Sequence, residues 1–178
     1  MDLQPRSKRD DLTAERLRHV VNYDAASGLF TRRAKTGCKG IIGDAMGNLA
    51  RDGNGQKRIR IGIDGCSYFA HRLAWLYVTG GWPTEDIDHI NGDGSDNRWC
   101  NLRAATRSQN LMNRRVIGRH GLKGVEKQTH GHTWAARIKS GDKRIYLGNF
   151  QTKEEAHAAY VRAAERLHGE FACDGRRG

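Results

Sequence analysis

The sequence predicts an α+β protein: an N-terminal β-rich unit leading into a strand–loop–strand–helix arrangement, and a C-terminal three-stranded antiparallel sheet packed on one helix. Three observations predict it. Short runs of alternating apolar and polar residues are separated by glycine and Asx turns, which is the pattern of small antiparallel sheets. Two S/T-x-x-E/Q capping boxes, at Thr106 and Thr152, each open a helical run. Only 37% of the 178 residues are hydrophobic and 22 are glycine, which favours small loop-rich modules over one large core.

The elements follow in order. "DLTAERLRHVV" (11–21) has a ragged helical stripe of Leu12, Leu17, Val20 and Val21 behind a weak Thr13 cap. "YDAASGLFTRRA" reads as a turn at Ser27-Gly28 entering a strand. In "KRIRIGIDGCSYFA" (57–70), Ile59, Ile61 and Ile63 alternate with Arg58, Arg60 and Gly62, and Asp64-Gly65 is a hairpin turn. The alternation puts Arg58 and Arg60 on one face. "HRLAWLYVTG" (71–80) is helical, with Gly80 as its stop. "IDHI" is a short strand, "NGDGSDN" supplies turn chemistry, and "WCNLRAA" returns as a second strand. A helix starting at Thr106 carries Asn110 in its first turns and Asn113 one turn later.

"RRVIGRH" (114–120) is a basic linker. Beyond it, "GLKGVEKQ", "TWAARIKS" and "RIYLGNF" are three strands. "TKEEAHAAYVRAAERLHG" is a helix with acidic residues in its first turn and Gly169 at its end. Ala156, Ala159, Tyr160, Ala163 and Leu167 form its expected packing stripe. The domain reading is 1–114, with its strand–loop–strand–helix part at about 86–114, a linker at 115–120, and a second domain at 121–174.

The net charge of +11 points to a polyanion, most often nucleic acid. The charge is uneven: residues 81–114 carry −1, and the flanks on either side carry +6 each. This pattern suits a protein that grips phosphates on both sides of a cation site. No apolar run reaches the length of a transmembrane helix, and the charged start lacks a signal-peptide core. No membrane association and a cytoplasmic location are therefore expected. Cys38, Cys66, Cys100 and Cys173 are scattered, which argues against a thiolate zinc site.

The polar stretch "DIDHINGDGSDNRWCNL" (86–102) stands out. A calcium loop is one reading, but the D-x-D-x-D-G register and terminal glutamate are missing. With "HRLAWLYVTGGWP" before it and "RAATRSQNLMNR" after it, the stretch resembles the HNH endonuclease family. The branch it resembles is that of phage and intron-encoded homing enzymes, which share a ββα-metal motif. "YDAASGLF" and the 57–70 hairpin also resemble that branch. The resemblance implies that His89 is the general base and that Asp88 and Asn110 hold a divalent metal, Mg²⁺ or Mn²⁺. It implies that Asn101 braces the loop and orients His89. Asn110 stands where many relatives have histidine. Asp93, Asp96 and Asn97 read as turn formers. His71 reads either as a packed structural histidine or as a phosphate contact.

"KGVEKQ", "WAARI", "YLGNF", "TKEEAHAAYVRAAERLHGE" and "FACD" resemble the ethylene-response-factor (AP-two) DNA-binding domain. That resemblance implies a sheet that reads double-stranded DNA through Lys123, Lys127, Gln128, Arg137, Lys139, Arg144 and Tyr146. Trp134 is expected mainly between sheet and helix. Glu126 and Gln128 stand where arginines are common. Arg58, Arg60, Arg72, Arg114 and Arg115 are further candidate DNA contacts, and Arg119 extends the basic linker. No small-molecule cofactor is expected. A monomer that nicks is the simpler expectation. The competing reading is a non-catalytic DNA-binding regulator with a decayed HNH unit. An RNA-binding reading lacks stacking platforms.

Overall fold

The computed structural model describes residues 12–35, 40–53, 55–113, 121–129 and 132–175. Cys38, Arg114, Arg115, Arg119 and His130 lie outside the described residues, and with them the whole linker. The chain divides into two compact units, Met1–Ala104 and Ala105–Gly178. This division falls just before the helix that the sequence reading attached to the first domain.

The first unit opens with helix α1 (Ala14–Val20), where the Thr13 hydroxyl accepts from the Arg16 amide and so caps it. Strands β1 (Val21–Tyr23), β2 (Phe30–Arg32) and β3 (Ala45–Met46) form one antiparallel sheet. Strands β4 (Asn48–Arg51), β5 (Lys57–Ile63) and β6 (Cys66–Phe69) form another. The expected β5–β6 hairpin turns at Asp64 and Gly65, both at positive φ (49° and 79°), as its tight turn requires. β1, β3 and β4 had no alternation strong enough to be read from sequence; β4 exposes Leu49 and buries none of its residues.

Helix α2 (Ala70–Thr79) ends at Gly80 in the left-handed region. Its buried Leu73, Ala74 and Leu76 join Leu17, Val20, Phe30, Ile61 and Ile63 in the core of the unit. Strand β7 (Asp86–His89) pairs with β8 (Leu102–Ala105). A short 3-10 turn (Trp99–Asn101) precedes β8. Ile87 and Leu102 drop into the core and so fix β7 and β8 against it.

The second unit holds helix α3 (Arg107–Asn113) and strands β9 (Val125–Lys127), β10 (Trp134–Ser140) and β11 (Lys143–Phe150), with helix α4 (Lys153–His168) across the sheet. The Thr106 hydroxyl accepts from the Gln109 amide, and Gln109 Oε1 accepts in return from the Thr106 amide. Thr152 and Glu155 do the same for α4. The sheet order β11-β10-β9 is antiparallel throughout, the predicted architecture. Gly124, at φ +75°, lies so close to Tyr160 that a Cβ would stand 2.0 Å from its ring.

The packing stripe of α4 differs from the one expected. Ala156, Tyr160 and Ala163 are buried, but Leu167 is exposed, and His157, Ala164 and His168 are buried instead. One ring nitrogen of each buried histidine meets a backbone carbonyl. A His157 nitrogen lies 3.1 Å from the Lys123 carbonyl, and His168 Nε2 lies 2.9 Å from that of Lys139. Trp134 packs against the Val125, Ala136 and Ala156 cluster.

Candidate active site and nucleic-acid interface

The loop between β7 and β8 is built from its own polar residues. Asp93 accepts from both the amide and the hydroxyl of Ser95, and Asp96 accepts from the Arg98 guanidinium and from Asn91 Nδ2. These donors hold both carboxyls below the usual carboxylate range. Asn101 Nδ2 donates to the Asp96 carbonyl (2.8 Å) and to Asn91 Oδ1 (3.1 Å), and its Oδ1 accepts from the Asn91 amide (2.9 Å). Asn101 thus ties both ends of the loop together.

The loop is then pinned to the rest of the unit. The buried Tyr23 hydroxyl donates to the Asn97 carbonyl at 2.8 Å. Gly28 packs on the Asn97–Arg98 backbone, and Gly94 packs on β5, where an added Cβ would come 2.3 Å from the Lys57 carbonyl oxygen. Glycine at 94 therefore lets the loop and Arg58 approach each other.

His89 is 3% exposed. Its Nε2 lies 3.3 Å from Asn97 Oδ1 and its Nδ1 lies 2.7 Å from Arg58 Nη1. A guanidinium only donates, so Nδ1 accepts and Nε2 carries the proton that Asn97 receives. Burial, and then the Arg58 charge, push the His89 pKa down to about 4, so the neutral ring prevails at neutral pH. The His71 ring stands edge-on to it, with centroids 5.1 Å apart, and burial lowers His71 well below its ordinary value as well. His71 is stacked on Phe69 and sits inside the packing.

Asp88 Oδ2 accepts two hydrogen bonds from Arg103, at 3.0 Å from Nε and 2.8 Å from Nη2. Arg58 also faces Asp52 (3.5 Å) and Gln56 Oε1 (3.1 Å). Two further residues belong to the site. The sequence marks Asn97 only as a turn former, yet its side chain holds the His89 ring. Arg103 carries a visible signal: it sits on the return strand, two residues after Asn101.

Among the described residues no group of three or more His, Cys, Asp or Glu side chains is gathered to hold an ion. The donor chemistry at Asp88 fits a sparse hard-ligand site. Mg²⁺ keeps several waters and takes one or two protein oxygens, completing its shell with phosphate. Asn110 lies on α3 of the second unit and is half-buried.

Of the other expected DNA contacts in the first unit, Arg60 stacks over Phe69 (4.7 Å) and Arg72 over Trp82 (5.8 Å), both half-buried. In the second unit Lys127, Lys139, Arg144 and Tyr146 are exposed, and Tyr146 is 54% so. Gln128 Nε2 reaches Asn149 Oδ1 at 3.4 Å. Lys123 is placed differently: its ammonium donates to the Met112 carbonyl (2.7 Å) and so anchors the end of α3. Glu126 accepts from both Arg137 (2.8 Å) and Arg144, so the two sheet arginines share one carboxylate.

Residues 68–112 match the HNH endonuclease family model. An uncharacterized HNH endonuclease of Acanthamoeba polyphaga mimivirus is 34% identical over 105 residues, covering 58% of this chain and 54% of the relative. Dehydration-responsive element-binding protein 1E of Oryza sativa subsp. indica is 28% identical over 106 residues, covering 57% of this chain and 48% of that protein. The chain spans about half the length of the curated relatives it matches. No described helix is long and apolar enough to cross a membrane. The family match encloses β7, β8 and the braced loop between them, so the likeness to HNH endonucleases falls on the segment that carries Asp88, His89 and Asn101.

Proposed function

We propose that the protein is a divalent-metal-dependent endonuclease that hydrolyses phosphodiester bonds of double-stranded DNA. The observation that supports it most is His89 itself. It is a neutral, buried imidazole held in one tautomer on the strand of the HNH-matched segment, with Nδ1 as its acceptor nitrogen. We further propose a homing-type role, with residues 1–114 as the cutting domain, 115–120 as linker and 121–174 as the DNA-reading domain.

The chemistry assigned to each group follows from its surroundings. His89 Nδ1 takes the proton of the attacking water. As the water oxygen bonds to phosphorus, the P–O bond to the leaving oxygen breaks. Asn97 Oδ1, accepting from Nε2–H, fixes the ring and stabilises the positive charge that develops on it. The nearby Asp88 and Asp93 carboxylates act in the same direction, since both favour the charged ring. Asn101 keeps the loop braced and does not touch substrate. Asp88 and Asn110 are the proposed ligands of Mg²⁺ or Mn²⁺. When bound, the cation supplies Lewis acidity to the scissile phosphate and its leaving oxygen. Arg58, Arg60, Arg72, Arg114 and Arg115 are proposed contacts to the DNA backbone. Lys127, Gln128, Arg137, Lys139, Arg144 and Tyr146 are the proposed groove-facing set. DNA binding is supported by the basic flanks and by the weaker likeness to the rice element-binding protein.

Supercoiled-plasmid nicking with and without Mg²⁺ tests the reading. Nicking that needs Mg²⁺ and is lost in His89→Ala, with duplex binding retained, is the expected result. Wild-type-like cleavage by His89→Ala removes His89 from the mechanism. Duplex binding with no cleavage in any divalent metal would favour a DNA-binding regulator.

A further inference from the structure

Both nitrogens of the His89 ring are engaged. Arg58 Nη1 lies 2.7 Å from Nδ1, and Asn97 Oδ1 lies 3.3 Å from Nε2. Because a guanidinium has no lone pair to offer, Arg58 must be the donor and Nδ1 the acceptor. In that arrangement the lone pair that would take a proton from water is already used. The loop packing at Gly94 makes the contact specific, since Gly94 lies against both the Lys57 carbonyl and the Arg58 side chain.

Arg58 is also tethered elsewhere. Its Nη2 donates to Gln56 Oε1 at 3.1 Å, and its Nε lies 3.5 Å from Asp52 Oδ2. The head group can therefore turn away from His89 while its other side keeps partners. Its contact with His89 is to a neutral acceptor, which is weaker than a bond in which the guanidinium meets an anion. A phosphodiester offers such an anion, with oxygens placed for the guanidinium fork.

We propose that Arg58 is a positioning residue that masks His89 Nδ1 in the DNA-free protein and releases it when a backbone phosphate of the duplex takes the guanidinium. Substrate then assembles its own base: the lone pair is exposed to water only when a phosphate is in place. The water hydrogen goes to Nδ1 and the guanidinium stays charged on the phosphate. The inference rests on His89 being the base of the proposed reaction.

The test uses the full chain labelled with ¹⁵N in its histidine rings, at neutral pH in EDTA so that bound duplex is not cut. The His89 signals are assigned from their loss in His89→Gln. The DNA-free wild type is expected to show the Nε2–H tautomer with Nδ1 shifted as a hydrogen-bond acceptor. Arg58→Ala should move Nδ1 toward the value of an unbonded imidazole nitrogen, and duplex added to the wild type should move it the same way. Arg58→Lys, which keeps charge and a donor, should move it part of the way. Arg58→Ala should also weaken duplex binding about tenfold, the scale of one lost charge-assisted contact.

A His89 spectrum unchanged in Arg58→Ala and Arg58→Lys overturns the masking. So does duplex that binds, by gel retardation, while Nδ1 keeps its DNA-free shift. Undiminished duplex affinity in Arg58→Ala overturns the phosphate transfer. A ring shift that behaves as expected while His89→Ala still cleaves would remove His89 as the base instead, so the two failures are separable.

Discussion

Arg103 and Asp88 form a two-bond ion pair whose side chains are 12% and 6% exposed. Replacing Arg103 by Met strips the carboxylate of both bonds in a place where water cannot fully replace them. Removing one partner of a buried pair costs about 3–5 kcal/mol, mostly from the charge left behind. Asp88→Leu takes the carboxylate from the guanidinium in the same way and should cost a similar amount. The double variant, Asp88→Leu with Arg103→Met, leaves neither charge uncompensated and fills the space with apolar atoms. It should be more stable than either single variant. The coupling energy from the double-mutant cycle should then be about 3 kcal/mol or more. Urea unfolding followed by circular dichroism and fluorescence measures it, provided the two probes coincide. If the two single costs simply add, with coupling below about 0.5 kcal/mol, the pair behaves like an exposed one and the burial argument fails. The two variants that lack Asp88 should lose cleavage, because Asp88 is the proposed ligand; the stability cycle does not depend on that.

Three further outcomes follow from the site and the sheet. Gly94→Ala should destabilise by about 1–3 kcal/mol, since its Cβ would meet the Lys57 carbonyl oxygen at 2.3 Å; a melting temperature equal to wild type would show that the loop can shift. The His89 pKa falls from 6.5 unfolded to about 4 folded, so below pH 6.5 the unfolded chain binds a proton that the native ring refuses. Stability contributed by the neutral ring is therefore present above pH 6.5 and lost as pH falls through 4, by about 3 kcal/mol in all. His71 acts in the same direction. Unfolding measured against pH should show this loss in wild type and a smaller one in His89→Gln; equal slopes would refute it. Glu126→Gln frees Arg137 and Arg144 from their shared carboxylate, so duplex binding should tighten at low salt and its salt dependence should steepen by about one phosphate contact. An unchanged salt slope would show that these arginines do not reach phosphate.

The features legible in the sequence are those decided by near neighbours. The Asp64-Gly65 turn, the caps at Thr106 and Thr152 and the stop at Gly80 each depend on residues within a turn or two. Asp88 and His89 could be placed on a strand for the same reason, and Asp93 and Asp96, expected as turn formers, accept from Ser95 and Arg98 two residues on. Leu167 shows where periodicity stops being informative. Its spacing puts it on the inner face, but the turn before β9 offers the Lys123 carbonyl and β10 that of Lys139, and the buried His157 and His168 meet them.

The sequence by itself determined the two-module α+β plan, the basic flanks and the polar loop with its Asp-His pair, because these are written in local pattern and charge. Only the tertiary structure decided what faces that pair. Arg58 reaches His89 across 31 positions and Arg103 reaches Asp88 across 15. Those contacts exist because Ile61, Ile63, Ile87 and Leu102 bury in one core and carry β5, β7 and β8 to the same place. A hydrophobic core is non-directional in sequence, so which polar groups it brings together appears only once it has closed.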